Sequence, residues 1–321
     1  MKKITLVGCG NIGSRHLQAL AKLPFEVEVN VIEPNIMAQA IAKSRLDEIP
    51  SKEMLGTFNW HKSISDFSGK SDLAIVATNA FKRIDLIQKL VEKGNSRFLI
   101  EKMVCQSTNE YDHLLSLLKS FKAKGWVNTT RRYFQSYQKI KNYFQKSKMI
   151  QVLVNAGNIG LGSNAIHFVD LFSWLTDDHE IFLNGDYLLN KIFPNERGKD
   201  LLEFAGTILG SSKKGSFLSI SFLPYDDVPT TVGIFGNNGS LLINETSEKI
   251  YNLSNSESDL KFHLELQSNL TTQIASNILK DDDCLLPTIK DSYFAHKELF
   301  RIFNEHIRKL TNKTEEQCPI T

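Results

Sequence analysis

The sequence predicts an α/β protein in two parts. A doubly wound parallel sheet is expected over residues 1–125, followed by an α+β domain over residues 126–321 with a large, mostly antiparallel sheet. Three observations carry this. Apolar strand-like runs alternate with amphipathic helical stretches through the first 125 residues, the rhythm of βαβ units. In the second half, strand-like runs follow one another across short turns, as antiparallel strands do. The opening strand, Lys2 to Val7, runs directly into Gly8-Cys9-Gly10-Asn11-Ile12-Gly13, and Ile12, His16, Leu17 and Leu20 follow at helical spacing. With 321 residues the chain is long enough for two cores.

The glycine turn is the most specific local signal. Strand, glycine turn and helix together are the setting of a dinucleotide site. Gly8 permits the tight turn. Gly10 has no Cβ to keep a pyrophosphate off the backbone, and Gly13 lets the helix pack close to the strand. The N–H groups at the helix start, at Asn11 and Ile12, are then free to face phosphate oxygens. The second strand, Glu26 to Ile32, ends at Glu33 and is followed by Pro34-Asn35. A carboxylate about 20 residues past the glycines accepts hydrogen bonds from the ribose hydroxyls. It also repels a 2′-phosphate, and no Arg or Lys directly follows Glu33, so NAD is expected rather than NADP.

The elements then follow in order. Asp72 to Thr78 reads as a buried strand ending in small polar residues, which puts Thr78 and Asn79 at the cofactor. Residues 80–93 read as a helix with Ile84, Ile87, Leu90 and Val91 on one face, closed by Gly94. Ser96 to Ile100 is the next strand and leads into Glu101-Lys102. A helix is expected around Leu114 to Phe121, ending near Gly125. In the second half, strands are expected over Leu202–Leu209, Ser216–Leu223, Thr230–Phe235 and Ser240–Ile243, with turns at 211–215 and 236–239. Two helices close the chain, near 267–279 and 289–310, the C-terminal one expected to pack back on the first domain.

Composition excludes several classes of partner. The net charge of +2 gives no field that would argue for nucleic acid or a membrane. No apolar run is long enough to span a bilayer, and no secretory signal is visible. Cys9, Cys105, Cys284 and Cys318 lack metal or redox spacing and read as reduced thiols of a cytoplasmic protein. Asp281-Asp282-Asp283 reads as a solvated turn, and no metal is expected.

Ligands of open α/β sheets sit beyond the carboxyl ends of the strands. Lys102 lies just past such an end, within reach of the nicotinamide half of a dinucleotide. Further on, Leu161 to Leu175 has helical periodicity. Ser163, Asn164, His167 and Asp170 fall on one broad face of that helix, a polar face with a histidine at its centre.

At this point the chain resembles the Gfo/Idh/MocA oxidoreductases, the family of glucose-fructose oxidoreductase and inositol dehydrogenase, over nearly its whole length. The opening Gly8 to His16 is similar to that family's start. Val76-Ala77-Thr78-Asn79 resembles its A-T-P, and Glu101-Lys102-Met103 its E-K-P, whose lysine is catalytic. Asn128 to Tyr133 resembles the start of its second domain. His167 with Asp170 resembles its H-x-x-D helix, whose histidine is the acid/base, and Gly236 to Leu241 its G-x-x-G-x-L turn. The resemblance implies hydride transfer between NAD and a carbinol carbon of a sugar, polyol or nucleotide sugar. Lys102 would hydrogen-bond the reacting oxygen and His167 would exchange the proton. Glu101 joins the cofactor set. Asn155, Asn158, Ser163 and Asn164 are expected to contact substrate hydroxyls, and Arg131 and Arg132 a carboxylate or phosphate.

Three departures bear on this reading. Met103 and Asn79 stand where that family has proline. Ser163 stands where it often has an aspartate, four residues before the histidine, so the carboxylate that would orient and stabilise the imidazolium is missing. An alternative reading is therefore a catalytically inactive, NAD- and sugar-binding regulatory protein of the same fold; another is a different two-domain reductase, such as a biliverdin or amino-acid-pathway enzyme. Retention of both Lys102 and His167 argues for the enzyme. Pairing of the large second-domain sheet between copies would make a homo-oligomer.

Overall fold

A computed structural model describes residues 1–50, 53–67, 69–195, 198–254, 261–314 and 316–321. The elements follow in chain order. The first are β1 (Lys2–Val7), α1 (Asn11–Ala21), β2 (Val27–Ile32), α2 (Ile36–Asp47), β3 (Gly56–His61), β4 (Leu73–Val76), α3 (Arg83–Glu92), β5 (Arg97–Ile100), α4 (Thr108–Ser120) and β6 (Lys124–Val127). Then come α5 (Gln135–Phe144), β7 (Ile150–Ala156), α6 (Leu161–Thr176), β8 (Ile181–Leu188), β9 (Phe193–Asn195), β10 (Gly198–Glu203) and β11 (Gly206–Ser212). The last are β12 (Phe217–Phe222), β13 (Thr231–Gly236), β14 (Gly239–Asn244), β15 (Lys249–Asn252), α7 (Gln267–Asp281) and α8 (Tyr293–Thr311).

The chain divides into two compact units. The first comprises residues 1–105, 109–130 and 265–290; the second comprises 106–108, 131–264 and 291–321. The first unit thus runs five residues past the expected boundary and takes in α7. It is the penultimate helix that joins the first unit, while α8 belongs to the second.

The first unit holds a six-stranded parallel sheet in the order β3-β2-β1-β4-β5-β6. The central strands are apolar on both faces and fully buried, as parallel strands covered by helices must be: Leu73, Ala74, Ile75 and Val76 of β4 are all inaccessible. Strand order reverses between β1 and β4, the place where such sheets leave a crevice. Asn35 caps α2, its side chain accepting from the N–H groups of Met37 and Ala38. α7 packs along α1, burying Leu270, Ile274 and Ile278. Gly125, expected to end a helix, lies within β6 instead. β3 went unread although Thr57-Phe58-Asn59-Trp60-His61 alternates polar and apolar residues; its apolar side chains are only half-buried.

The second unit holds a seven-stranded sheet in the order β15-β14-β13-β7-β12-β11-β8. Every pairing is antiparallel except that of β7 with β12. β7 alternates cleanly, with Ile150, Val152, Val154 and Ala156 buried. α6 is apolar nearly all round because it is buried nearly all round, against β7, β12 and α8. The strand expected over 202–209 is two strands, β10 and β11, with a break at Phe204-Ala205.

Candidate active site

The first unit carries a cavity of about 990 Å³ at the carboxyl ends of β1, β2 and β4. Gly8, Gly10, Glu33, Thr78 and Asn79 line it, with Pro34, Ser63 and Ser65. The glycines act as their spacing predicts. Gly8 has φ +84°, and a Cβ there would lie 2.9 Å from the Thr78 nitrogen. A Cβ on Gly13 would lie 2.1 Å from the Gly8 oxygen, so helix and turn touch through a missing side chain. A Cβ on Gly10 would meet nothing within 4 Å, so the space beside it is open on the cavity side. Asn11 and Ile12 begin α1 directly after it and are exposed. Glu33 is held from both sides: Cys9 N–H donates to Oε2 at 2.7 Å and Asn35 N–H to Oε1 at 2.9 Å. Each oxygen keeps a second acceptor site. Burial, reinforced by the Glu33 charge and only partly opposed by Arg45, pushes the Cys9 thiol up to about 12, so it stays neutral.

Glu101 and Lys102 follow β5 and are buried. The Glu101 carboxylate does not join the cavity lining. Oε1 accepts from His16 Nε2 at 3.0 Å and from the Asn128 amide, while His16 Nδ1 meets Thr271 Oγ1 at 2.8 Å. Burial would raise the Glu101 carboxyl, but His16, Asn128 and the Lys102 ammonium outweigh it and hold the group below its ordinary value. Glu101, expected at the cofactor, is thus an anchor under the loop that carries Lys102. The Lys102–Met103 peptide bond is cis.

In the second unit, Ser163, Asn164 and Asn158 line a cavity of about 410 Å³ at the start of α6, together with Asn195 and Glu203 from the β9–β10 hairpin. His167 is half-buried one turn further along the helix. Glu203 caps this helix start. Its carboxylate accepts the Ser163 N–H at 3.1 Å and the Ser163 hydroxyl, and the Asn195 amide lies at 3.3 Å. Gly160 and Gly162 make the room: a Cβ on Gly160 would lie 2.6 Å from the carboxylate, one on Gly162 3.0 Å from it. Burial raises the Glu203 carboxyl above its ordinary value despite hydrogen bonds from the Ser163 hydroxyl and from the N–H groups of Gly162, Phe204 and Ser163.

Residues 2–129 match the model of the Gfo/Idh/MocA family, described as an oxidoreductase family with an NAD-binding Rossmann fold. The N-terminal domain belongs to the Gfo/Idh/MocA oxidoreductases. The chain is similar to the WlbA dehydrogenase of Bordetella pertussis, solved with NADH and UDP-GlcNAcA, at 17% identity over 94% of this chain and 95% of that one, TM-score 0.70. It is similar to a myo-inositol dehydrogenase of Corynebacterium glutamicum at 17% identity over 94% and 95%, TM-score 0.67. A biliverdin reductase of Synechocystis, solved with biliverdin and NADP+, matches at 10% identity over 94% and 97%, TM-score 0.70. At these identities the likeness is one of fold, and it extends over both units. No curated protein matches the chain by sequence. The resemblance read from the sequence, to a dehydrogenase or reductase of the Gfo/Idh/MocA kind, is met.

Three expected substrate contacts, Arg131, Arg132 and Asn155, lie elsewhere. Arg131 forms a two-point ion pair with Glu245, at 3.0 and 2.8 Å, stacks on Phe168 and shares Glu245 with the Tyr137 hydroxyl at 2.6 Å. It serves the core because its charge is fully engaged there. Asn155 is exposed and pairs with Ser221 and Thr231, whereas its neighbour Ala156 pairs with Phe222, which packs on Phe168 of α6. Strand alternation therefore puts Asn155 on the sheet face away from the helix that carries His167. The polar face of α6 is also divided. Asp170 is buried in a two-point pair with Arg132, at 2.6 and 3.0 Å, while the Asn164 amide donates to the carbonyls of Ile159 and Gly160. Asp282, in the acidic run, pairs with Arg97 and Lys124. Among the described residues, no helix is long and apolar enough to cross a membrane.

Glu203 and Asn195 went unread. The signal for Glu203 was a single acid inside the apolar run Leu201-Leu202-Glu203-Phe204-Ala205, opposite a helix start rich in glycine.

Proposed function

We propose that the chain is an NAD-dependent dehydrogenase acting on a CH–OH group of a sugar, polyol or nucleotide sugar. The observation that carries this is the cavity of the first unit, with its open flank at Gly10 and its doubly anchored Glu33. The residues fit a dinucleotide. The turn Gly8 to Gly13 and the start of α1 would hold the pyrophosphate, and Glu33 the adenosine ribose, which favours NAD over NADP. Thr78 and Asn79 would flank the nicotinamide half. The bound nicotinamide supplies the hydride acceptor or donor.

The remaining work falls to side chains of this chain. Lys102, an ammonium at the end of β5, donates a hydrogen bond to the reacting oxygen and stabilises the negative charge that grows on it during oxidation. His167 takes the hydroxyl proton in that direction and returns it in the other. Asn158, Ser163 and Asn164 hold further hydroxyls. The neighbours' names support a polyhydroxylated substrate, since they include a myo-inositol dehydrogenase and an enzyme solved with UDP-GlcNAcA.

A second copy is proposed to pair through the open face of the seven-stranded sheet, where Phe182 and Phe217 are more than half exposed. The mostly buried cysteines are proposed to be the reduced thiols of a cytoplasmic protein.

The test is NADH formation from NAD+ with myo-inositol, scyllo-inositol, UDP-N-acetylglucosamine and related sugars. Lys102→Met and His167→Asn should each lower turnover by roughly a hundredfold or more while the Kd for NADH changes little. Tight binding of cofactor and sugar with no turnover would instead support a regulatory protein.

A further inference from the structure

One buried side chain ties together two loops at the carboxyl end of the parallel sheet. Arg83, the first residue of α3, is 1% exposed. One terminal nitrogen of its guanidinium donates to the Thr78 carbonyl. The other donates to the carbonyls of Glu101 and Met103, with that of Val104 more distant at 3.4 Å. Thr78 lies in the loop after β4. Glu101 and Met103 bracket Lys102 in the loop after β5.

We propose that Arg83 is a positioning residue for the nicotinamide half of the site, setting where Thr78, Asn79 and Lys102 stand relative to one another. The inference rests on the reading of the cavity as an NAD site. Three arguments carry it. β4 and β5 pair only as far as Val76 and Ile100, with one further bond from the Glu101 N–H to the Val76 carbonyl at 3.0 Å. Beyond that point Arg83 bridges the two loops. A guanidinium is a planar, rigid fork whose donors are already arranged for several acceptors, so one side chain fixes two segments at low entropic cost. Its bonds are charge-assisted, and their geometry is set by backbone carbonyls, which cannot swing away as side chains can.

The division of labour makes this testable. The adenosine half is served by the Gly8–Gly13 turn and Glu33, at β1 and β2, whereas the Arg83 bonds to Thr78, Glu101 and Met103 hold the loops after β4 and β5. A fault at Arg83 should therefore weaken the dinucleotide and spare its adenosine fragment.

The experiment measures Kd for NADH and for ADP by calorimetry on the full chain, as wild type, Arg83→Lys and Arg83→Met, with melting temperature recorded for each. NADH should bind about tenfold more weakly to Arg83→Lys, which keeps the charge but loses the fork, and weaker still to Arg83→Met. ADP should stay within about twofold of wild type in both. The inference is overturned if NADH binding is unchanged in a folded variant. It is equally overturned if NADH and ADP weaken in parallel or if neither variant folds, since Arg83 would then hold the fold and not the site. A wild-type chain that binds neither nucleotide overturns the cofactor reading itself, and this inference with it.

Discussion

The Ser163 backbone N–H donates to the Glu203 carboxylate at 3.1 Å, which sets an acid from a β-hairpin at the start of the helix that carries His167. Ser163 is the position four residues before that histidine. A carboxylate therefore stands beside that position, brought in by β10 over a separation of 40 residues. An acid that binds a helix N-terminus is favoured by the helix dipole, yet here burial wins and the carboxyl titrates above its ordinary value.

That shift has a definite sign. The folded chain holds the Glu203 proton more tightly than the unfolded chain, whose carboxyl titrates near 4.5. The contribution to stability is complete below that ordinary value and is lost as pH rises through the elevated folded value. Melting temperature against pH should therefore show a falling limb in the wild type that Glu203→Gln flattens. An identical limb in the variant would assign it to another group.

Gly10→Val should separate binding from folding. A Cβ at this position meets no protein atom within 4 Å, and the backbone there has φ −69°, which L-residues adopt freely. The melting temperature should shift by only a few degrees, while NADH binding falls at least a hundredfold, because the isopropyl group would fill the place proposed for the pyrophosphate. A comparable collapse of both would show that the open flank serves the fold.

Glu33→Ala removes the proposed ribose acceptor and strands the Cys9 and Asn35 N–H groups. Binding of NAD+ should weaken by more than that of NADP+, so the ratio of the two Kd values is the quantity to measure. Equal losses would mean that Glu33 only shapes the turn.

The Arg131–Glu245 pair makes a prediction about stability rather than substrate. Glu245→Ala strands a buried guanidinium and should cost about 3–5 kcal/mol in urea unfolding. Replacing both partners, as Arg131→Met with Glu245→Leu, should recover most of this, less about 1 kcal/mol for the stranded Tyr137 hydroxyl. A double variant no better than the single one would mean that the pair is more than a neutralised charge.

What could be read from the sequence was local. Gly8, Gly10 and Gly13 announce their roles through neighbours a few residues away, and Glu33 through its place at a strand end. The apolar run at 73–76 declares a buried strand by composition alone. The fates of Arg131 and Asn155 depended on distant pairings. Arg131 meets Glu245 across 114 residues, and Asn155 faces away from α6 because of the register of β7 against β12. Glu203 lay beyond local reading for the same reason. A charged residue near a site looks available until the partner that neutralises it is known.

The return of α7 to the first unit also has a consequence in time. His16 on α1 finds its Thr271 partner 255 residues later in the chain. At ribosomal speeds of about 5–20 residues per second, α1 waits on the order of ten to fifty seconds for the helix that covers it. The segment 2–129 that carries the family signature therefore cannot complete its unit until α7 has been made. During synthesis the nascent first unit exposes an apolar stripe until α7 has emerged, a window in which chaperones can act on it.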